Sequence, residues 1–247
     1  MTTAAVGEKS TEISPLGPDG VLLCFAKASS PEVTDQVLGF AETLRAATLP
    51  GVTEIATALT SVLVKFDPDC ISRAALTDLL HPLLADQQTE TFHAQRRWMI
   101  PVAFGGEAGP QLAEAAALAG VTEAQALRDL TQTELRVLAI GFAPGQPYIG
   151  RLPEAWEIPR QPQLTPSVPA GALVVALRQL VLFGNVSTTG WRQIGLCAFR
   201  PFKIDRAHPF ALRQGDAIRL VAAPLDEIRA LGRNPDALGG ARCEVLT

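Results

Sequence analysis

Hydrophobic positions in the first third of the chain alternate between strand-like runs and helical spacing. The apolar run Val21–Phe25 predicts a buried strand. Ser30 followed by Pro31 predicts a helix start, because serine caps helices and proline fits their first position. The runs Val52–Ala56 and Ser61–Phe66 predict two more strands. A second helix is predicted by leucines at helical spacing: Leu76, Leu79, Leu80, Leu83 and Leu84.

The order of these elements predicts a ferredoxin-like domain over residues 20–95. Such a domain runs strand, helix, strand, strand, helix, strand. A fourth strand is therefore expected, either at Thr89–Phe92 or at Arg97–Val102. Residues 1–19 show no apolar period and end in a run rich in proline and glycine, which predicts a flexible N-terminal arm.

The remaining residues, 96–247, are divided into shorter elements by proline and glycine. Pro110–Ala119 and Thr122–Leu130 predict two short helices, the second with a capping box formed by Thr122 and Gln125. Short apolar runs between turns predict a β-barrel or sandwich. These runs are Leu135–Phe142, Ala172–Leu177, Leu180–Phe183, Trp191–Leu196 and Ala217–Ala222. The fold class is thus an α+β domain followed by a mainly-β domain.

Composition narrows the possible functions. Of 247 residues, 47% are hydrophobic and 19% are charged, and the net charge is −4. This describes a chain with ample core and without the basic excess that a nucleic-acid groove needs. The richest apolar stretch, Gly171–Val186, is interrupted by Arg178 and Gln179, so no membrane span is expected. A cytoplasmic protein is expected. The four cysteines and three histidines are scattered, so no metal site is expected.

Three segments are candidates for chemistry. Gly141–Gly150 contains three glycines and two prolines, a composition that suits either a backbone that approaches a ligand or an elaborate barrel corner. Arg160 could bind a carboxylate or phosphate, although an exposed loop arginine is equally ordinary. The glycine-rich run Gly105–Pro110 precedes a helix, where free N–H groups can hold an anion, but it lacks the spacing and lysine of nucleotide loops.

At these segments the sequence resembles the KipI family, also called allophanate hydrolase subunit 1 or the B subunit of bacterial 5-oxoprolinase. The resemblance covers about residues 20–222. It is carried by Val62–Val64 with Phe66–Pro68, Pro101-Val102, Gly105–Glu107, Gly109-Pro110, Gly141-Phe142, Pro144-Gly145, Pro147-Tyr148, Pro159-Arg160, Val168–Gly171, Gln179, Gly190-Trp191, Ile194-Gly195 and Gly215-Asp216.

The resemblance implies a ferredoxin-like N-terminal domain and a cyclophilin-like β-barrel. It also implies a KipA-like partner subunit (a pair similar to the carboxyltransferase half of urea carboxylase) and a third, LamB/YcsF-like subunit. The implied activity is the ATP-dependent opening of 5-oxoproline to glutamate. Some members of the family instead inhibit a sensor histidine kinase.

The sequence departs from the family at several polar positions. Leu130 stands where the family usually has a histidine, and Leu135 where it has a tyrosine. Gln146 replaces an aromatic residue and Thr165 an arginine. A leucine cannot transfer a proton, but it can preserve a fold.

Two hypotheses follow. The first is a divergent subunit of a 5-oxoprolinase-like complex, in which ATP binds this chain or its partner and the partner supplies most catalytic bases. The second is a non-catalytic regulatory or scaffold module of the KipI type. In the first, Tyr148 and Arg160 are the catalytic candidates, and backbone N–H groups near Gly145 hold a substrate oxygen. The substrate cleft is predicted from Gly141, Phe142, Pro144, Gly145, Tyr148, Arg160, Gln179, Gly190 and Trp191.

Two details of the cleft are also predicted. Arg160 is expected to rest on an acidic partner, Glu154 or Glu157, or on a bound anion, since an unpaired buried charge is costly. If Leu130 and Leu135 point inward, as the resemblance implies for these positions, they make the cleft drier.

Overall fold

The computed structural model describes residues 11–86, 92–233 and 238–246. The chain divides into two compact units, Met1–His93 and Ala94–Thr247. Each unit has its own hydrophobic core. In the part of the chain that is described, no helix combines the length and apolar character needed to cross a membrane.

The first unit is a four-stranded antiparallel sheet with two helices. Its elements are β1 Glu12–Pro15, β2 Gly20–Cys24, α1 Pro31–Ala47, β3 Val52–Thr57, β4 Ser61–Phe66 and α2 Arg73–Ala85. The strand order is β1-β2-β4-β3. The Ser30 hydroxyl accepts a hydrogen bond from the Val33 N–H at 3.2 Å, so the predicted cap of α1 is confirmed. Phe40 and Leu80 are fully buried between the sheet and the helices.

The edge of this sheet differs from the prediction. β1 pairs antiparallel with β2, with Ile13 opposite Leu23, so the prediction of a flexible arm is wrong for residues 12–15. The arm's first ten residues lie outside the described part of the chain. Ile13 packs on the core while its neighbours face outward, as an edge strand allows.

The fourth strand of the ferredoxin-like order is therefore not found where it was predicted. Most of Thr89–Phe92 lies outside the described residues, and Arg97–Val102 belongs to the second unit. The described element order is strand, strand, helix, strand, strand, helix. The place beside β2 is filled by β1, which precedes β2 in the chain.

The second unit is mainly β. Its elements are β5 Arg96–Phe104, α3 Leu112–Leu118, α4 Glu123–Gln132, β6 Leu135–Ile140, β7 Pro147–Gly150, a 3-10 turn Glu154–Trp156, β8 Thr165–Val168, β9 Ala172–Ala176, β10 Gln179–Leu182, β11 Ser187–Thr189, β12 Arg192–Leu196, β13 Ala217–Ala222, α5 Leu225–Leu231 and β14 Arg242–Val245. The two predicted helices are confirmed as α3 and α4, and the Thr122 hydroxyl caps α4 by accepting from the Gln125 N–H at 3.2 Å.

Seven of the described strands close into a barrel. Their order is β12-β9-β10-β7-β6-β13-β5, and β5 returns to β12 with Phe104 opposite Gly195. β14 extends the sheet beyond β5, and β8 with β11 forms a separate ribbon. The predicted barrel is confirmed, while its cyclophilin-like character stays a prediction.

Alternate residues of the barrel strands point into two different clusters. On β9 and β10, Val175 and Leu180 belong to the large cluster to which every barrel strand contributes, so this cluster fills the barrel. Val174 and Val181, on the opposite face, belong to a second cluster outside the barrel, which contains Trp191. The candidate site lies on this outer face.

Candidate functional site

Three of the predicted site residues meet on the outer face of the barrel, and we call them the Trp191 cluster. The guanidinium of Arg160 lies over the Trp191 ring, with 5.4 Å between its carbon and the ring centre. Tyr148 meets the same ring edge-on, with ring centres 6.3 Å apart. Trp191 is buried, Tyr148 is half-buried and Arg160 is exposed. The cluster thus combines the Arg160 cation and the Tyr148 hydroxyl with the apolar surface of Trp191.

Backbone contacts between two distant segments hold Arg160 in this position. The N–H of Gln161 donates to the carbonyl of Gly190 at 2.7 Å. The Gln161 side chain donates to the Trp191 carbonyl at 3.0 Å. Arg192 donates to the Pro159 carbonyl at 2.6 Å. Arg160 therefore lies between two anchored neighbours, which hold the backbone from which its side chain extends.

Three glutamines link this cluster to α3. Gln111 donates through Nε2 to Gln161 Oε1 at 2.7 Å, and its Oε1 accepts from the Gln193 N–H at 2.9 Å. The Gln193 side chain donates to the Ala108 carbonyl at 2.8 Å. A satisfied network of this kind stiffens its surroundings. Sequence reasoning missed it, because 50 and 82 residues separate the partners and glutamine carries no local signal.

The predicted acidic partner of Arg160 is not found. Among the described residues, no carboxylate forms an ion pair with Arg160, and neither Glu154 nor Glu157 reaches it. The expectation of a glutamate partner was wrong because it assumed a buried guanidinium, whereas the alternative of a bound anion stays a prediction. An exposed guanidinium keeps its hydration and is stabilised by the Trp191 ring, so it needs no counter-ion.

The two leucines that were predicted to line the cleft, Leu130 and Leu135, lie elsewhere in the fold. Leu130 and Leu135 are buried in the cluster that fills the barrel, whereas Trp191 belongs to the outer cluster. The prediction that the two leucines line the Arg160 cleft was therefore wrong. Strand alternation and the docking of α4 turn these positions to the barrel interior, where leucine packs well.

The Gly141–Gly150 segment consists of a tight loop and strand β7, which carries Tyr148. The Gly141 N–H donates to the Gln146 carbonyl at 3.0 Å, and the Gln146 N–H donates to the Ala143 carbonyl at 3.1 Å. These bonds close the loop around the exposed Pro144. Because Gln146 uses its N–H within the loop, that group is not available to a substrate oxygen.

Phe142 and Gly145 have different environments in this loop. Phe142 is 80% exposed and has a φ of 72°, in the left-handed region that disfavours side chains. Gly145 has a φ of 68°, and a Cβ there would lie 2.7 Å from the Cβ of Phe202. Gly145 is thus required for the turn and for its packing on Phe202, and it lies apart from the contacts of the Trp191 cluster.

Gln179 and Gly190 complete the predicted set. Gln179 follows a turn in which Leu177 and Arg178 both have positive φ. It pairs with Gly150, two residues along β7 from Tyr148, and so shares the outer face with Tyr148. Gly190 contributes its carbonyl to the anchoring of Gln161.

The glycine-rich run before α3 uses several of its N–H groups for contacts within the protein. The N–H groups of Gly105, Gly109 and Gln111 already donate to the carbonyls of Ile194, Gly105 and Gln193. Glu107 at its centre pairs with Arg229. These three N–H groups are therefore used within the protein. Among described residues, no group of three His, Cys, Asp or Glu side chains is placed to hold a metal ion.

Comparisons with known proteins agree with this architecture. A family model, "Carboxyltransferase domain, subdomain C and D", matches residues 11–212. The chain is 35% identical over 136 residues to the B subunit of 5-oxoprolinase from Escherichia coli O157:H7, covering 55% of this chain and 62% of that protein. It is 27% identical over 220 residues to the B subunit of 5-oxoprolinase from Bacillus subtilis (strain 168), covering 85% and 92%.

Solved structures show the same fold. The crystal structure of TTHA0988 has a TM-score of 0.70 and 31% identity, covering 83% of this chain and 40% of that chain. The Kluyveromyces lactis urea amidolyase, at 13% identity, has a TM-score of 0.71 over 97% of this chain and 17% of its own, which is a likeness of fold alone. Since the family model matches well over half of the chain, the chain belongs to the carboxyltransferase domain family, subdomain C and D.

Proposed function

We propose that this chain is one subunit of an ATP-dependent, amide-hydrolysing complex of the 5-oxoprolinase type. A KipA-like subunit is its proposed direct partner, and a LamB/YcsF-like subunit is the proposed third component. The proposal is supported by relatives named as the B subunit of 5-oxoprolinase, one of which is aligned over 92% of its length. A subunit label of this kind implies further subunits.

The Trp191 cluster is the proposed substrate-binding surface. The main support for this proposal is the state of Arg160. Its guanidinium is exposed, and among described residues it has no carboxylate partner. A planar guanidinium whose hydrogen-bonding groups are unpaired can bind a carboxylate with two parallel hydrogen bonds. A cyclic amide that bears a carboxylate, such as 5-oxoproline, would supply this group.

Tyr148 is the proposed second contact to the substrate. Its hydroxyl makes no hydrogen bond to another described residue, so it is available to donate to a carbonyl or amide oxygen of the ligand. The remaining surface around it is apolar and includes Val174 and Val181. This surface can therefore bind and orient a ligand.

The proton-transfer groups of the complex are therefore assigned to the partner. Leu130, which stands at the position of the family histidine, is fully buried in the barrel core. It can neither donate nor accept a proton, and its environment is dry. ATP is likewise assigned to the partner subunits in this proposal, because three N–H groups of the loop before α3 already donate to protein carbonyls.

Phe142 is the proposed contact with the KipA-like partner. Phe142 is 80% exposed and has a positive φ, a backbone conformation that is uncommon for residues other than glycine and that concentrates at functional sites. The loop that presents Phe142 leads directly into β7, so a partner bound there would lie beside the strand that carries Tyr148.

The test is reconstitution of the complete complex. We expect the chain to co-purify with KipA-like and LamB/YcsF-like proteins from the same genome, and the three together to hydrolyse ATP in a 5-oxoproline-dependent manner. The matched control is the same mixture with Arg160→Ala. A complete complex without 5-oxoproline-dependent ATP turnover would remove the proposal. Binding to a sensor kinase from the same genome instead would favour the regulatory alternative.

A further inference from the structure

The second unit contains a cavity of about 550 Å³ that is separate from the Trp191 cluster. It lies between the start of β5, the loop that joins β12 to β13, and strand β14. Its walls combine basic groups with apolar ones, and none of its residues belongs to the predicted site. The lining residues are Arg96, Trp98, Arg206, Ala207, His208, Pro209, Phe210, Ala211, Arg213, Leu238 and Cys243.

The loop that forms one wall, residues 201–211, is a folded hairpin. The Lys203 N–H donates to the Pro209 carbonyl at 3.0 Å, and the Ala211 N–H donates to the Pro201 carbonyl at 2.9 Å. Near its base, the rings of Phe202 and Phe210 lie 4.9 Å apart. Arg206 lies at the turn of this hairpin. Its placement in the cavity wall is thus set by an ordered loop.

One of the arginines is fully neutralised. Arg96 donates to both carboxylate oxygens of Asp216, at 2.9 and 2.5 Å. Asp216 also accepts from the Trp98 ring N–H at 3.2 Å and from the Arg213 backbone N–H at 2.8 Å. The carboxylate is therefore saturated by its neighbours, and none of its charge remains for another arginine.

Arg206 is the opposite case. All three of its guanidinium nitrogens are buried, and none has a hydrogen-bond partner among the described residues. Burial lowers the pKa of Arg206, because removal from water disfavours the charged form. A guanidinium nevertheless stays protonated in proteins. Arg206 and Arg213 both line the cavity, and the positive charge of Arg206 has no hydrogen-bonding partner among the described residues.

We infer that this cavity is a binding site for a small organic acid, whose carboxylate or phosphate pairs with Arg206 and whose apolar body packs against Trp98, Phe210 and Leu238. A buried, unpaired guanidinium is unfavourable without a ligand, and an oxyanion supplies both the opposite charge and the missing acceptors. The apolar walls exclude a bare inorganic ion as the best-fitting ligand. The volume suits one small molecule.

The cavity provides its own reporter. Cys243 lines it and is exposed to solvent, while Cys70 is exposed in the first unit. A bound ligand should therefore slow the alkylation of Cys243 by iodoacetamide and leave the alkylation of Cys70 unchanged. Mass spectrometry of the full chain distinguishes the two sites. At ten times the Kd of the ligand, the rate at Cys243 should fall about elevenfold.

The probes are benzoate, phenyl phosphate, acetate and benzamide. Benzoate and phenyl phosphate share an apolar body and differ in the acid group, so the stronger protector identifies the preferred oxyanion. Acetate lacks the body and benzamide lacks the charge, and both should protect Cys243 weakly. Arg206→Met should abolish protection by benzoate, and it should not lower the melting temperature of the ligand-free chain, because it removes an unpaired buried charge. The matched control is Arg128→Met, an exposed arginine of α4, which should keep the protection.

Two results would overturn the inference. One is no protection of Cys243 by benzoate or phenyl phosphate at about 10 mM, where even a ligand with a Kd of about 1 mM would occupy most of the site. The other is equal protection by benzamide, which would show an apolar cavity with no role for charge. Both results are read on the wild-type chain, so they hold even if Arg206→Met does not fold.

Discussion

The guanidinium carbon of Arg160 lies over the ring of Trp191, 5.4 Å from its centre and 31 residues away in sequence, where the sequence suggested a glutamate partner or a bound anion. The contact keeps the arginine both ordered and unpaired. An ion pair with a neighbouring glutamate would have occupied the same hydrogen-bonding groups that a substrate carboxylate needs. Stacking leaves those groups free.

Replacement of Arg160 should therefore weaken anion binding without unfolding the chain. We expect Arg160→Ala to lower the affinity of the assembled complex for 5-oxoproline by about 1.5–3 kcal/mol, the range of a charge-assisted contact. Isothermal titration calorimetry measures it, and Arg128→Ala is the control. Equal affinities of wild type and Arg160→Ala would show that Arg160 is a surface residue without a ligand.

Phe142 should affect association and not folding. Because its side chain is 80% exposed, Phe142→Ala should change the free energy of unfolding by less than about 0.5 kcal/mol. It should weaken binding to the KipA-like partner about tenfold, as a central apolar contact does. Surface plasmon resonance with immobilised partner gives the affinity. Ile204→Ala, which removes another exposed side chain (76%), should leave it unchanged.

Local patterns were sufficient for much of the fold. Ser30 and Pro31 placed the start of α1, because a cap and a fixed φ act within one helical turn. β1 was missed because it is only four residues long and buries little besides Ile13. β7 was missed because Pro147 and Gly150 at its ends have the composition of a turn.

Two glycines of the loop before α3 should differ sharply in their tolerance of a methyl group. A Cβ on Gly109 would lie 2.0 Å from the Ile194 carbonyl oxygen, which no rotamer can relieve. We expect Gly109→Ala to destabilise the chain by about 3 kcal/mol or more. Gly106→Ala is the control, because a Cβ at Gly106 would have no atom within 4 Å. Only the positive φ of 50° disfavours alanine at this position. Its expected loss is about 1 kcal/mol, and urea denaturation measures both.

Asp216 should matter more to stability than an exposed carboxylate does. In Asp216→Asn the Arg96 guanidinium loses its buried counter-charge, and we expect a loss of about 3 kcal/mol in the free energy of unfolding. Glu134→Gln breaks the exposed pair with Arg97 and should cost less than about 1 kcal/mol. Similar losses in both variants, measured by denaturant unfolding, would contradict the central role of Asp216.

Cys197 should make the fold sensitive to alkaline pH. Burial raises the pKa of its thiol from 9.0 to about 12. In the unfolded chain the thiol ionises near pH 9, whereas in the fold it stays protonated. The contribution of the buried Cys197 thiol to the free energy of unfolding is therefore fully present below about pH 9. It is lost as the pH rises from 9 toward 12, at up to about 1.4 kcal/mol per pH unit.

The measurement is the free energy of unfolding of wild type and Cys197→Ala between about pH 8 and pH 11. The variant should be less stable at about pH 8, because it leaves a small cavity, but its stability should fall less steeply as the pH rises. Cys70→Ala should flatten the slope less than Cys197→Ala does, because a hydrogen bond to Asp67 raises the pKa of the Cys70 thiol but this thiol is exposed. Parallel slopes for wild type and Cys197→Ala would contradict the prediction.

The candidate site was only partly accessible from the sequence. Arg160, Tyr148 and Trp191 were singled out by motif, but their mutual contact depends on the register of β7 and β10 and on the anchoring of Gln161, which are non-local. The glutamine network and the unpaired Arg206 carry no motif at all. Their significance lies in burial and in the hydrogen bonds they form or lack, and those are properties of the folded chain.

The first strand has a consequence for how this chain can be shortened. β1 covers one edge of β2, and its residues come from the segment that a designer would remove as a tail. A chain that begins after Gly17 would present the bare edge of β2, a row of unpaired N–H and carbonyl groups. Two such chains would join there into one continuous intermolecular sheet. By covering the edge of β2, β1 thus protects the chain from edge-to-edge aggregation.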